Sequence, residues 1–333
     1  MSVKVLVTGI AGFVGMHVAK SLKEKGFEVV GIDNLNDYYD VNLKISRLHD
    51  LGLVSFESDH HKAEIDNLTF YKIDLCNREA IDELFKVYNF SIVINLAAQA
   101  GVRFSITHPK SYIDSNINGF FNILDASKAF KIDHLIYASS SSVYGNSINT
   151  PFRVEQRTDN PISMYAATKK ANELMAETYS HLHGLSTSGL RFFTVYGPYG
   201  RPDMAYFSFT KSILEGKPIK LFNGGDLHRD FTYIDDIVNS IVALCEKGAE
   251  KKGGASLYNI GRGEPQLIKE FVTTLEELIG KKALVEVVEK QPGDVDITYA
   301  DISSLQNYLG IRPEISLKEG LSSFYNWYKR YYI

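Results

Sequence analysis

The first 33 residues constrain the fold more than any other stretch of the chain. Residues 3–7 form a short apolar run interrupted only by Lys4, the pattern of a strand covered on both faces. Glycines then recur at every third position, where this strand would turn into a helix: Gly9, Gly12 and Gly15. The helix itself is predicted from apolar residues at every fourth position: Val14, Val18 and Leu22. A second apolar strand, residues 27–32, ends on Asp33, so the chain begins with a strand–helix–strand unit.

This unit predicts a dinucleotide site. Bare backbone at a helix N-terminus can bind a pyrophosphate through its N–H groups. Asp33 lies eighteen residues beyond Gly15, close to the ~20 positions at which an acid accepts the ribose hydroxyls. We expect NAD rather than NADP, because a 2′-phosphate would face Asp33 with no cation among the next three residues, Asn34 to Asn36. The alternative is an ordinary tight turn.

The composition bounds the class of protein. With 333 residues, 44% hydrophobic and 23% charged, the chain has the proportions of a soluble globular protein with a sizeable core. Its net charge of −4 gives no reason to expect a nucleic acid or a membrane surface as partner. The chain opens on a strand and has no apolar run of 18 residues. We therefore expect a cytoplasmic protein.

Strands and helices alternate along most of the chain, which is typical of a doubly wound parallel sheet of the α/β class. The predicted strands are residues 68–75, 91–98, 134–139, 186–193, 256–260 and 283–288. The predicted helices are residues 41–51, 78–88, 112–130, 165–183, 207–214, 235–247 and 267–279. We expect residues 1–195 to form the dinucleotide-binding domain, with segments near 232–262 returning to it. Residues 196–333 are expected to form most of a smaller C-terminal α/β domain that binds the substrate.

The residues that often bind metals lack suitable spacing. His60 and His61 lie in a predicted loop with no further ligands nearby, so we expect no metal site. Cys76 and Cys245 are interpreted as buried small hydrophobic residues.

Tyr165 and Lys169 are four residues apart on a predicted helix, so their side chains lie on one face, one turn apart. A free tyrosine has a pKa of about 10 and is a poor base at neutral pH. An ammonium one turn away and a positively charged nicotinamide would favour the phenolate, which could exchange a proton with a substrate hydroxyl. The alternative is an amphipathic surface helix, in which this spacing is common.

Four serines, residues 139–142, follow a predicted buried strand and precede Val143-Tyr144-Gly145. One of them could hydrogen-bond the substrate oxygen that Tyr165 addresses. A serine-rich turn is the alternative, but the glycine loop and the Tyr165–Lys169 pair together favour the catalytic interpretation.

With these features the chain resembles, over essentially its whole length, the extended short-chain dehydrogenase/reductase family, and within it the nucleotide-sugar 4-epimerases. The motifs that carry the resemblance are residues 8–15, 74–75, 96–101, 139–145, 165–169 and 229–231, together with Asn116 and Gly119. The family implies a Rossmann sheet, a resident NAD and a UDP-sugar substrate.

The resemblance also implies roles for single residues. Asp74 and Leu75 would lie near the adenine, and Lys169 would also bind the nicotinamide ribose. Ser140, which is 25 residues before Tyr165, matches the catalytic serine or threonine, and Arg229 matches the arginine that binds the diphosphate. The complete expected cofactor-binding set is Gly9, Gly12, Phe13, Val14, Gly15, Asp33, Asn34, Asp74, Leu75, Ala97, Ala98, Gln99, Asn116, Tyr165 and Lys169.

The reaction type follows from what is missing. Related dehydratases and decarboxylases carry a carboxylate between the catalytic hydroxyl and Val-Tyr-Gly, where this chain has Ser141 and Ser142. That leaves reversible oxidation at one carbon: the 4-hydroxyl gives its proton to Tyr165 and its hydride to NAD, the 4-keto sugar turns over, and the hydride returns to the other face.

Three loops, residues 33–40, 98–103 and 197–205, resemble those of the UDP-glucuronate 4-epimerases, as do residues 291–295. The expected reaction is therefore the conversion of UDP-glucuronate to UDP-galacturonate. The substrate-binding residues would be Arg103, Ser140, Ser141, Ser142, Thr194, Arg201, Arg229, Gln291 and Asp294. Arg103 and Arg201 could instead form salt bridges at the domain interface.

Two alternatives stay open from the sequence. The first is a 4-epimerase for UDP-glucose and UDP-galactose or for the UDP-N-acetylhexosamines. The second is a non-catalytic NAD-binding regulator, which would not need the tyrosine, lysine and serine set. The resemblance also implies a homodimer, paired through helices near residues 116–131 and 165–183; apolar residues there fit either a dimer interface or an intrachain core, namely Phe120, Phe121, Leu124, Leu174 and Met175.

Overall fold

The computed structural model describes residues 3–289 and 295–333. The chain divides into two compact units. The first comprises residues 1–143, 161–191 and 238–258, and the second comprises residues 144–160, 192–237 and 259–333.

The strands of the described residues are β1 (Lys4–Thr8), β2 (Glu28–Asp33), β3 (Lys62–Ile65), β4 (Leu68–Lys72), β5 (Ile92–Asn95), β6 (His134–Ser140), β7 (Thr187–Phe192), β8 (Thr194–Tyr196), β9 (Pro218–Phe222), β10 (His228–Arg229), β11 (Phe231–Tyr233), β12 (Ala255–Ile260), β13 (Gln266–Leu267) and β14 (Leu284–Val288). The α-helices are α1 (Phe13–Glu24), α2 (Val41–Asp50), α3 (Arg78–Tyr88), α4 (Phe104–Thr107), α5 (Pro109–Tyr112), α6 (Phe120–Ala129), α7 (Met164–His183), α8 (Ala205–Glu215), α9 (Ile234–Lys247), α10 (Ile268–Ile279), α11 (Ser303–Leu309) and α12 (Leu317–Tyr332). A π-helix spans Ile113–Gly119, and short 3₁₀-helices span Ser141–Tyr144 and Asn223–Gly225.

The first unit is built on an eight-stranded sheet with the order β12-β7-β6-β5-β1-β2-β4-β3 within the described residues. The pairs β1–β2, β1–β5, β2–β4 and β5–β6 are parallel, and β3 is antiparallel to β4. The strand order runs outward in both directions from β1, so β1 and β5 flank the point where the winding reverses. The predicted doubly wound fold is confirmed.

Both faces of the sheet are covered. Leu6 packs into a cluster with Phe85 of α3 and Phe120 of α6, while the neighbouring Val5 and Val7 are also fully buried. Successive strand residues point to opposite faces, so a strand buried at every position lies between two layers of helices. This burial explains why β1 reads as an almost unbroken apolar run.

The second unit contains smaller pieces of sheet. β8 pairs in parallel with β11, and β9 pairs in parallel with β14. Helix α12 begins with a capping box in which Ser316 and Glu319 bond each other's backbone N–H groups. Its aromatic residues pack against Tyr206 and Phe207 of α8 through Phe324, with ring centroids 4.9 and 5.9 Å apart.

Three local predictions need correction. The helix predicted over residues 112–130 is interrupted by the π-helix, which the apolar pattern does not reveal. The strand predicted over residues 91–98 ends at Asn95, because the backbone then turns and the N–H of Ala97 bonds Thr8 Oγ1 at 3.1 Å. Cys245 is buried as expected, whereas Cys76 is exposed in the loop after Asp74. None of the described helices combines the length and the apolar character that a membrane crossing requires.

Candidate active site

The glycine loop lies at the carboxyl end of β1, beside the end of β5. Gly9 has a φ of +72°, and a Cβ there would lie 2.8 Å from the backbone nitrogen of Ala97. A Cβ on Gly15 would overlap the carbonyl oxygen of Gly9. The first turn of α1 has no side-chain cap from the described residues, so its N–H groups point into space that only glycines leave open. This cradle fits the pyrophosphate of a dinucleotide.

Asp33 ends β2 with its side chain only 8% exposed, and its carboxylate accepts the N–H of Leu35 at 2.8 Å. The ammonium of Lys44 on α2 lies 3.9 Å from that carboxylate and donates to Asn36 Oδ1 at 2.8 Å. The prediction that Asp33 has no adjacent cation was therefore wrong. The nearest residues in sequence are neutral, but α2 folds back onto the end of β2 and brings Lys44 to the carboxylate.

Asn34 and Asp74 are brought together, as a shared adenine-ribose site would require. Asn34 Nδ2 donates to Asp74 Oδ2 at 2.8 Å, and the N–H of Cys76 donates to Asp74 Oδ1 at 2.8 Å. Partial burial by itself would raise the pKa of Asp74, but these hydrogen bonds outweigh it and keep the pKa below its ordinary value. Leu75 beside them is buried.

Asn116 holds the loop after β5 from within the π-helix. Its Oδ1 accepts the N–H of Gln99 at 2.7 Å, and its Nδ2 donates to the carbonyl of Gln99 and to Thr168 Oγ1, each at 3.1 Å. Asn116 is 1% exposed and therefore fixes the loop from inside the unit rather than from the solvent side. Ala97 and Ala98 lie in the same loop, next to the glycine cradle.

Tyr165 and Lys169 lie one turn apart near the start of α7, as predicted. Ser163 caps this helix by accepting the N–H of Ala166 at 3.1 Å. The ammonium of Lys169 is buried, donates to the carbonyl of Ala138 at 2.8 Å and lies 5.9 Å from the ring centroid of Tyr165. Burial lowers the pKa of Lys169 to about 8. Tyr165 itself is half-buried and contacts the ring of Tyr112 edge-on at 6.1 Å.

The serines occupy the end of β6 and the turn that follows. Ser140 is 7% exposed, and its Oγ donates to Ser142 Oγ and accepts the N–H of Ser142, each at 3.1 Å. Ser139, by contrast, points away from this turn, because its Oγ donates to Glu173 at 2.7 Å. Ser140 follows two residues after Ala138, whose carbonyl holds Lys169. With Ser139 bonded to Glu173, Ser140 is the first serine whose hydroxyl lies in this turn.

The remaining predicted substrate residues belong to both units. Arg103 is exposed at the start of α4 in the first unit. In the second unit, Arg201 forms a two-pronged ion pair with Asp203, two residues along the chain, at 3.0 and 2.5 Å. Thr194 belongs to β8, and Arg229 donates to the carbonyls of His228 and Asp296 at 2.8 and 3.3 Å. Gln291 and Asp294 lie outside the described residues.

Two cations of α2 were missed from the sequence. Lys44 adjoins Asp33, and Arg47, which is fully buried, donates to the carbonyl of Ala11 in the glycine loop at 2.9 Å and to Tyr39 Oη at 2.6 Å. They stand three residues apart on one helix face. The sequence did contain a signal for them. The helix that follows Asp33 carries two cations on a face that is otherwise apolar, which indicates that both are buried beside the expected ribose site.

Comparisons with known proteins identify the family of the chain. The model of the NAD dependent epimerase/dehydratase family matches residues 5–261, and the chain belongs to this family. It is 48% identical to Protein CapI of Staphylococcus aureus, over 99% of both chains. It is 46% identical to a UDP-glucuronate 4-epimerase of Thermodesulfobacterium geofontis, over 97% of this chain and 95% of the relative. Its structure is similar to that of a UDP-glucuronic acid 4-epimerase from Bacillus cereus in complex with UDP-glucuronic acid and NAD, with a TM-score of 0.89, 34% identity and coverage of 99% and 100%.

Proposed function

We propose that this chain is an NAD-dependent 4-epimerase that interconverts UDP-glucuronate and UDP-galacturonate. The observation that carries the proposal is the anchoring of Lys169, which is buried one helical turn beyond Tyr165 and bonded to the carbonyl two residues before Ser140. A positive charge fixed one helical turn from a tyrosine is suited to moving one proton on and off a sugar hydroxyl. The similarity to proteins named for this activity supports the same substrate.

The residues of the first unit fit NAD. The glycine cradle would bind the pyrophosphate, Asp33 would accept a ribose hydroxyl, and Lys44 would donate to the same ribose. Asn34, Asp74 and Leu75 would surround the adenine end. The loop that Asn116 fixes would line the remaining length of the cofactor. We assign cofactor binding to this unit, which also holds the substrate candidates Arg103 and Ser140 to Ser142; the second unit holds Thr194, Arg201 and Arg229.

The proton chemistry belongs to three side chains. NAD, when bound, supplies the acceptor and then the donor of the hydride at carbon 4 of the sugar. Tyr165 acts as a phenolate, which the Lys169 ammonium stabilises, and its Oη takes the proton of the 4-hydroxyl. Ser140 Oγ donates a hydrogen bond to the 4-oxygen and holds the sugar in place. The same phenol returns the proton when the ketone is reduced.

The side chains after Ser140 explain why the reaction would stop at epimerisation. Ser141 and Ser142 offer no carboxyl group that could eliminate water or steer decarboxylation. A uronate ketone is a β-keto acid and loses CO₂ readily, so its carboxylate must be held by hydrogen bonds. We assign this role to Arg103, Ser141 and Ser142 of the first unit, because a substrate carboxylate at Arg201 would have to compete with Asp203. Arg229 would bind the diphosphate.

The direct test is turnover of UDP-glucuronate followed by proton NMR of the products. We expect UDP-galacturonate and at least tenfold slower reaction with UDP-glucose or UDP-N-acetylglucosamine. Faster turnover of either neutral sugar would favour the alternative epimerases, and a UDP-pentose product would identify a decarboxylase. NAD binding without turnover of any of the three sugars would favour the non-catalytic regulator.

We also propose that the chain forms a homodimer through α6 and α7. Phe120 and Leu124 belong to the intrachain core, but Phe121 and Leu174 are 42% and 57% exposed on these helices. Light scattering should give about twice the chain mass of 37.4 kDa. The variant Leu174→Glu should be monomeric, whereas Val87→Glu, at an apolar position on α3 that is 65% exposed, should leave the dimer intact. A monomeric wild-type protein would refute the interface.

A further inference from the structure

A buried ion pair lies behind the candidate catalytic residues. Arg191 of β7 and Glu173 of α7 have side chains only 1% and 3% exposed. The pair is two-pronged, with Nε to Oε1 at 2.8 Å and Nη2 to Oε2 at 2.9 Å. Neither residue belongs to the cofactor-binding or proton-transfer set.

Stability alone does not account for this pair. The desolvation of two charges offsets most of their attraction, and apolar residues of similar size often replace such pairs without loss of stability. What the two-pronged geometry does supply is a defined position, because a planar guanidinium bonds both carboxylate oxygens in one orientation only.

The position that the pair defines is that of α7 on β6. Ser139 Oγ donates to Glu173 Oε1 at 2.7 Å, and the Lys169 ammonium donates to the carbonyl of Ala138 at 2.8 Å. Glu173 is one turn beyond Lys169, so two successive turns of the helix are tied to two successive residues of the strand. The next strand residue is Ser140, and the previous turn of the helix carries Tyr165.

We propose that Glu173, held by Arg191, is a positioning residue that sets how far Tyr165 and Lys169 stand from Ser140. The ion pair fixes the carboxylate, the carboxylate fixes Ser139, and the strand end then presents Ser140 to the sugar. The catalytic consequence rests on the proposed function, but the placement of α7 does not.

The mildest test is Ser139→Ala, which removes the link to the strand and leaves the ion pair in place. We expect turnover per NAD-loaded site to fall about tenfold, with the KM for UDP-glucuronate and the NAD content within twofold of wild type. The matched control is Ser188→Ala on β7, a fully buried serine that bonds His134 at 2.8 Å. If Ser139→Ala is as active as Ser188→Ala, the proposal is wrong.

A second variant tests the pair itself. Glu173 also lies 3.6 Å from Lys170 Nζ. The change that removes both charges of the two-pronged pair together is the neutral double variant Glu173→Met/Arg191→Met. We expect it to melt within a few degrees of wild type and yet to lose about tenfold or more in turnover per NAD-loaded site. A folded double variant with wild-type turnover would overturn the proposal.

The placement of α7 can be measured without turnover. In protein labelled with ¹³C at the lysine ε-carbon, the Lys169 resonance should titrate near pH 8 in the wild type. In the double variant α7 would lose its tie to Ser139 and keep only the Lys169 hydrogen bond to Ala138. We expect the start of the helix to shift and Lys169 to be less buried, so the Lys169 pKa should rise towards its ordinary value. This readout separates the two ideas: an unchanged titration refutes the positioning role, whereas a protein inactive on every UDP-sugar refutes the proposed function alone.

Discussion

The Lys169 ammonium is buried and donates to the carbonyl of Ala138 at 2.8 Å. Desolvation lowers its pKa from 10.5 to about 8. The folded protein therefore binds fewer protons than the unfolded chain between these values. It follows that the contribution of Lys169 to the free energy of unfolding rises with pH across this window.

The first prediction concerns stability against pH. In NAD-free protein, the free energy of unfolding of the wild type relative to Lys169→Met should increase between pH 8 and pH 10.5, by up to about 3 kcal/mol. Urea denaturation at a series of pH values measures the difference. A difference that stays flat or falls over this range would show that Lys169 is not buried as a charged group.

The second prediction concerns the base. Tyr165→Phe removes the proton acceptor and leaves the ring, so turnover of UDP-glucuronate should fall by about 10² to 10⁴ while NAD stays bound. Tyr179→Phe on the same helix is the control, because its hydroxyl contacts only Asp125 among the described partners, at 3.3 Å. Wild-type activity in the Tyr165 variant would mean that another group is the base.

The third prediction concerns the cation beside Asp33. Lys44→Met should weaken NAD binding to NAD-free protein by about tenfold, the usual magnitude for one lost charge-assisted hydrogen bond. Lys20→Met removes an exposed lysine that pairs with Asp50 at 2.8 Å and should leave the affinity unchanged. Equilibrium dialysis with NAD measures both. Equal affinities would show that Lys44 only braces Asp33 and Asn36.

The fourth prediction concerns the glycine cradle. A methyl group on Gly15 would overlap the Gly9 carbonyl, so Gly15→Ala should lower the melting temperature and abolish its rise on adding NAD. In Gly254→Ala the nearest atom to the new Cβ would be the Cβ of Lys251, at 3.0 Å, and the effect of NAD should persist. Retention of the NAD effect in Gly15→Ala would place the pyrophosphate elsewhere.

Much of the first unit could be predicted because its signals are local. The β1 strand, the glycine loop and Asp33 follow one another within 33 residues, and fully buried strands produce apolar runs that need no tertiary information. The pairing of Tyr165 with Lys169 likewise depends only on helical periodicity. The fold class and the membership in an NAD-dependent family are therefore confirmed, whereas the roles of single site residues stay predictions.

The features that were missed depend on contacts between distant residues. Lys44 reaches Asp33 only because α2 packs back onto the sheet, and Glu173 meets Arg191 and Ser139 from three separate elements. The π-helix around Asn116 differs from an α-helix by a shift in hydrogen bonding that leaves no trace in the hydrophobic pattern. The aromatic helix α12 did have a local signal, the Ser316–Glu319 capping box.

The outer strand of the sheet, β12, is separated from its neighbour β7 by more than sixty residues, most of which belong to the second unit. During synthesis the backbone N–H and C=O groups on this edge of β7 therefore lack their strand partner until residues 255–260 have left the ribosome. Residues 238–258 belong to the first unit but follow residues 192–237 of the second. The first unit therefore cannot finish folding before that part of the second unit has been synthesised. A chain interrupted before Ala255 would expose an open apolar edge, and we expect such fragments to aggregate rather than to persist as a free cofactor-binding domain.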